Sequence, residues 1–170
     1  AMLSDYLKLA RDRDAKELDN IRVVVKGSFC EQPPLELLRT IERAGCYIVN
    51  DDLLLGTRWI EDEIDTDGDP LDSLVNAYLT SSVSAPSRYE AEGNNGQSLV
   101  DMARAENAHG VVFCAPSFCD PALLDQPMSV DALERADIAY TTFKYSENTG
   151  QFQVIREQAG TFSDSIRLWS

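Results

Sequence analysis

The chain has 170 residues, an apolar content of 44% and a net charge of −14, with 29 acidic against 15 basic side chains. That length supports one ordinary domain with a real core, and the composition is that of a globular chain rather than a disordered one. The charge excludes a nucleic-acid binder, whose affinity rests on Lys and Arg against phosphates. No apolar run approaches the roughly 20 residues of a membrane span, and the N-terminus lacks the ordered regions of a signal peptide, so a cytoplasmic protein is expected.

The spacing of Leu3, Leu7 and Leu18, with Tyr6, Leu9 and Ala10 between them, predicts a helix over Leu3–Leu18 with one apolar stripe. Ile21–Val25 is a short β-branched run that ends at Gly27-Ser28, the pattern of a buried strand followed by a turn. Pro33-Pro34 opens a second helix whose buried face is read as Leu35, Leu38 and Ile41, with Gly45 as its stop. Cys46–Val49 is a second buried strand, closed by Asn50-Asp51-Asp52. An acidic stretch from Glu61 leads to Asp69-Pro70, a cap and first-turn pair for a helix through Leu71, Leu74, Val75 and Tyr78.

The serines after Thr80, and Pro86 through Gly96, predict a long loop. Ser98 is read as the cap of a helix over Leu99–Asn107, and Gly110–Cys114 as a third strand. A proline-bounded loop, a short helix Val130–Arg135 and a fourth strand Ile138–Phe143 follow, before a final amphipathic helix from about Gln151 toward Trp169. Strands alternating with helices predict right-handed crossovers. The fold expected is therefore a doubly wound, flavodoxin-like, mainly parallel sheet of about four strands in the order 2-1-3-4, with helices on both faces. Residues 1–20 form an N-terminal helical segment in this reading and residues 21–170 the α/β domain.

Ligands of such sheets sit beyond the carboxyl ends of the strands, here near Gly27–Cys30, Asn50–Asp52, Ala115–Cys119 and Lys144–Asn148. Neither a Walker A loop nor GxGxxG follows the first strand, so nucleotide binding is not expected there. Asp51-Asp52 read as solvated turn carboxylates in preference to a phosphoryl acceptor, since no lone Asp follows strand three. Glu63, Asp65, Asp67 and Gly68 imitate the start of a calcium loop, but Leu74 stands where the closing Glu belongs. His109, the only histidine, reads as a cap or dipole partner at a helix end. Arg58, Arg88 and Lys144 are basic groups near strand ends or loops and are assigned no role.

Four cysteines, Cys30, Cys46, Cys114 and Cys119, do not suggest a disulfide framework in a cytosolic chain. Cys114 lies in an apolar strand and reads as core. Cys119 lies past the strand end in Pro116-Ser117-Phe118-Cys119-Asp120-Pro121, which places it at the ligand-bearing edge with its thiol outward and Phe118 in position to shield a cluster. One thiol holds no cluster alone, because an Fe–S cube takes three or four thiolates.

Three stretches carry a resemblance. They are Gly110-Val111-Val112 through Phe118-Cys119-Asp120-Pro121, Ile41–Leu53 with Gly56-Thr57-Arg58, and the tail Lys144–Phe152 with Ile155–Phe162. In combination, from about Ile21 to the end, the chain resembles the benzoyl-CoA reductase and 2-hydroxyacyl-CoA dehydratase family, and the tail is most similar to the C-type subunits of its ATP-dependent reductase branch. The resemblance implies an iron–sulfur subunit that works with a paired homologous cluster-bearing subunit on an acyl-CoA substrate. It also implies ATP-hydrolysing activator subunits supplied by ferredoxin. Cys119 matches the family's C-terminal ligand of a [4Fe-4S] cluster, and Cys114 matches no family position. The family's N-terminal half, which carries its other cluster cysteines, is not in this chain, so the chain by itself is expected to bind no cluster and to be inactive. A dehydratase subunit is the alternative within the family. A cluster-free flavodoxin-like binding module is the alternative outside it.

Overall fold

A computed structural model describes residues 2–27, 33–53, 63–81, 96–146 and 152–169. Four strands, β1 (Ile21–Lys26), β2 (Cys46–Asp51), β3 (Gly110–Pro116) and β4 (Ala139–Tyr145), form one sheet in the order β2-β1-β3-β4. Every pairing is parallel, with Val23 opposite Gly110 and Gly110 opposite Ala139. The helices are α1 (Met2–Arg11), α2 (Leu35–Arg43), α3 (Pro70–Ser81), α4 (Gln97–Ala105), α5 (Asp120–Arg135) and α6 (Phe152–Trp169). The doubly wound fold and the strand order follow the sequence expectation.

Side chains of the central strands alternate between two cores because successive residues of a strand face opposite sides of the sheet. Val23, Val25, Val112, Cys114, Phe143 and Tyr145 face one side and pack with Leu37 and Ile41 of α2 and Ile155 and Ala159 of α6. Val24, Val111 and Phe113 face the other side and pack with Leu99, Val100 and Ala103 of α4 and Leu133 of α5. Burial on both faces explains the apolar runs Val23–Val25 of β1 and Val111–Ala115 of β3. The edge strand β2 is only half-buried after Cys46, where a fully buried strand was expected.

The three helices that feed strands β2, β3 and β4 end alike. Gly45, Asn107 and Asp137 take left-handed conformations, with φ of 95°, 49° and 56°. These residue types tolerate that region best, and it turns the chain from helix into strand. The Gly45 carbonyl then accepts the Ile21 N–H at 3.0 Å and the Ser163 hydroxyl at 2.9 Å, which ties the α2–β2 turn to β1 and α6.

Several boundaries differ from the sequence reading. Helix α1 stops at Arg11, seven residues before Leu18, since residues 11–14 are all charged and leave the apolar stripe without its next turn, and Asp12 and Asp14 are poor helix formers. The buried face of α2 is Leu37, Thr40 and Ile41, with Leu35 exposed in the first turn. Gly96, not Ser98, caps α4. Helix α5 begins at Asp120 and absorbs the expected proline loop, with Pro121 in its first turn and Pro127 inside it. Asp69 caps α3 as expected, its Oδ1 accepting the N–H groups of Leu71 at 2.9 Å and Asp72 at 3.2 Å. Yet α3 buries Ala77, while Leu71, Leu74 and Val75 stay exposed.

Gly45→Ala is expected to cost about 1–2 kcal/mol, from left-handed strain together with a Cβ that would lie 2.7 Å from Ser163 Oγ. Thermal unfolding should show a fall in Tm of roughly 2–6 °C.

Candidate functional site

The carboxyl ends of β1 and β3 lie side by side, and a buried ion cluster joins the end of β1 to neighbouring elements. Lys26 closes β1 with its side chain only 10% exposed, and a buried ammonium needs a partner. Its Nζ lies 3.2 Å from Asp52 Oδ2 and 3.7 Å from Asp125 Oδ2, both carboxylates being 7% exposed. Asp52 also accepts the Gly27 N–H through Oδ1 at 2.5 Å. A Cβ at Gly27 would stand 2.3 Å from Leu53 Cδ2, so a side chain there would have to displace Leu53. One ammonium thus bridges the exit of β1, the exit of β2 and the middle of α5.

Asp52 is therefore a buried structural partner, which corrects the reading of Asp51-Asp52 as solvated turn carboxylates. Asp51 is half-buried. Burial pushes its carboxyl up, a Leu53 N–H accepted at 3.0 Å opposes that, and Asp52 adds to the rise. Neither Lys26 nor Asp125 stands out in the sequence. Lys26 carries a signal, a charged end to a β-branched run directly before glycine. Asp125 carries none, because the prolines around it read as a loop.

Cys119 lies at the carboxyl edge, as the N-cap of α5. Its N–H donates to the Pro116 carbonyl at 3.0 Å, and its own carbonyl accepts the Leu123 N–H at 3.1 Å. Ser117 anchors the preceding turn on β4 through the Tyr145 carbonyl, with N–H at 2.8 Å and Oγ at 3.0 Å. The expectation of an outward thiol fails, because Cys119 is 3% exposed and packs with Ala115, Ala122 and Leu123. Phe118 is the exposed residue, at 91%, so it covers none of the described residues.

The other described thiols are elsewhere. Cys46 starts β2 at the opposite edge of the sheet, and burial pushes its thiol up to about 11 although Arg167 opposes the rise. Cys114 is enclosed within β3, where burial, reinforced by Asp52, pushes its thiol up to about 12. Both stay protonated at neutral pH. None of the three forms a disulfide. Cys30, Arg58, Arg88 and Asn148 lie outside the described residues, and Lys144 is exposed.

His109 precedes β3 and Cys119 follows it, so a strand length of roughly 20 Å separates them and no Cys/His pair forms. His109 is not a helix cap. Its Nδ1 accepts the Arg22 N–H at 2.8 Å and its own N–H donates to the Arg22 carbonyl at 2.7 Å, which extends the β1–β3 ladder. Asp65 and Asp67 are exposed, and Asp65 Oδ1 is turned onto the Asp67 N–H at 2.9 Å. Among the described residues no group of three His, Cys, Asp or Glu side chains is placed to hold a metal. These residues alone therefore do not fit an iron–sulfur cube. No helix among them is long and apolar enough to cross a membrane.

Residues 1–166 match the family model described as 2-hydroxyglutaryl-CoA dehydratase, D-component. The chain belongs to this family. The match starts earlier than the resemblance read from Ile21 onward and takes in α1. The chain is 51% identical over 170 residues to the C subunit of benzoyl-CoA reductase from Thauera aromatica, covering 99% of this chain and 44% of that protein. It is 25% identical over 153 residues to the (R)-phenyllactyl-CoA dehydratase beta subunit of Clostridium sporogenes, covering 90% and 40%. With the beta subunit of lactoyl-CoA dehydratase from Anaerotignum propionicum it shares 23% over 167 residues, covering 98% and 44%. The chain thus spans less than half the length of these relatives, all of which are subunits of reductase or dehydratase enzymes.

Two outcomes test the site. Lys26→Met removes the ammonium shared by two buried carboxylates and should cost about 3–5 kcal/mol in urea unfolding, as breaking a buried ion pair does. The raised thiols predict the alkaline limb. Unfolded thiols ionise near 9.0 while the folded ones hold their protons to about 11 and 12, so their contribution is complete below pH 9 and lost as pH rises toward 12. Cys114→Ala should flatten the fall in stability between pH 9 and 12, measured by unfolding at successive pH values.

Proposed function

We propose that this chain forms the C-terminal α/β part of a C-type subunit of an ATP-dependent benzoyl-CoA reductase, a cytoplasmic enzyme that reduces the aromatic ring of benzoyl-CoA. Residues 1–20, which hold α1 and the stretch that follows it, precede the α/β domain of residues 21–170. The observation that carries this reading is the 51% identity to a reductase C subunit, roughly twice the identity to the two dehydratase beta subunits. In this reading electrons come from ferredoxin through ATP-hydrolysing activator subunits. The catalytic component is completed by a paired homologous subunit, and the chain alone is inactive.

We further propose that Cys119 supplies one ligand of a [4Fe-4S] cluster whose other ligands lie outside the described residues. Its position supports this. The thiol sits at the carboxyl edge of a doubly wound sheet, where ligands of such folds bind, on a turn pinned by Pro116 and Ser117 and at the start of a helix. Its burial among Ala115, Ala122 and Leu123 is the observation that favours the other reading, an inert core thiol. The ion cluster of Lys26, Asp52 and Asp125 holds α5 against the sheet and so holds that turn in place.

Substrate class is decided by assaying the anaerobically prepared subunit pair with its activator. Activity with benzoyl-CoA and none with a 2-hydroxyacyl-CoA is expected, and the reverse pattern would make the protein a dehydratase subunit. In the same pair, Cys119→Ala should lower iron content and remove the EPR signal of one cluster per subunit. Unchanged iron and an unchanged spectrum would show that Cys119 is a core thiol.

A further inference from the structure

Helix α1 presents an apolar face that none of the described residues covers. Met2, Leu3, Tyr6, Leu7 and Leu9 are 87%, 71%, 69%, 47% and 72% exposed, and none of the ten residues of the helix is buried. At 100° per residue these side chains, with Ala10, occupy one side of the helix, while Ser4, Asp5, Lys8 and Arg11 occupy the other. An isolated helix shorter than about 12–15 residues is marginal in water and draws its stability from packing of an apolar face. A ten-residue helix with five large apolar residues and no buried one lacks the packing that would stabilise it.

We propose that the apolar stripe of α1 is an intrasubunit docking face, covered by the part of a relative-length subunit that lies outside these 170 residues. Length supports this occupant, since the matched reductase C subunit extends over more than twice the span aligned here, and that span includes α1. Charge opposes a second copy, because each chain carries a net charge of −14 and two copies would repel. The stripe is apolar and lacks a charged centre, as expected of a face buried permanently within one polypeptide. The proposal rests on the family membership and is independent of substrate and cluster.

Amide hydrogen exchange of α1 tests it in three samples: the 170-residue chain, the subunit-length polypeptide that contains it, and that polypeptide with its paired subunit. Exchange in α1 should slow about 100-fold or more on going from the first sample to the second, with no further change in the third. Equal exchange in all three overturns the proposal. Protection in the 170-residue chain at the mass of a dimer would make a second copy the occupant, and protection appearing only in the third sample would make it the paired subunit. In the subunit-length polypeptide, Leu3→Asp with Leu7→Asp should restore fast exchange in α1 while β1 and β3 amides stay protected, and Lys8→Asp should leave α1 protected. Continued protection of α1 in the double variant would show that the stripe is not the contact.

Discussion

The central strands β1 and β3 must be covered on both faces, and most of the architecture follows from that constraint. A parallel sheet cannot leave a wet face when its strands read Ile-Arg-Val-Val-Val and Gly-Val-Val-Phe-Cys. Helices α2 and α6 close one side and α4 and α5 the other, which divides the apolar residues into two cores of nearly fixed membership. Right-handed crossovers then leave few orders for the strands, and the one adopted puts β1 and β3 in the middle. The same arrangement brings the exits of these two strands together at one edge.

What happens at that edge depends on a charge that the fold has had to bury. Lys26 ends the central strand β1, and its ammonium is held by carboxylates from two separate elements. Buried ion pairs add little net stability but are costly to break, so they specify arrangement more than they stabilise it. Here the arrangement specified is the seating of α5 and the exit of β2 against β1. Cys119, as the N-cap of α5, inherits its position from that seating. The opposite edge is set differently, by backbone contacts of Arg22 with His109 and by left-handed residues that end the helices.

Two helices run against the usual inside-out rule. Helix α3 turns Ala77 inward and exposes Leu71, Leu74 and Val75, and α1 exposes its whole apolar stripe. Periodicity identifies the apolar face of a helix but does not say which mass it meets. In a chain that spans less than half the length of its relatives, the rule that apolar faces turn inward holds only for the elements the sheet itself recruits.

Much is legible in the residues because it rests on local pattern. The β-branched runs mark the strands, Asp69-Pro70 marks the start of α3, Gly45 marks the end of α2, and their alternation is enough for a doubly wound sheet in the order 2-1-3-4. Family membership is legible as well, since Phe118-Cys119-Asp120-Pro121 and the tail carry it in sequence. The tertiary structure alone decides the rest. Prolines that read as loop punctuation lie within α5, because Pro121 occupies a first turn that needs no N–H and tertiary packing carries the helix past Pro127. Asp52 is a buried partner of Lys26, in a cluster with Asp125 whose three members lie far apart along the chain. Cys119 turns inward for the same reason. Burial depends on which neighbours the fold delivers, and no spacing along the chain encodes that.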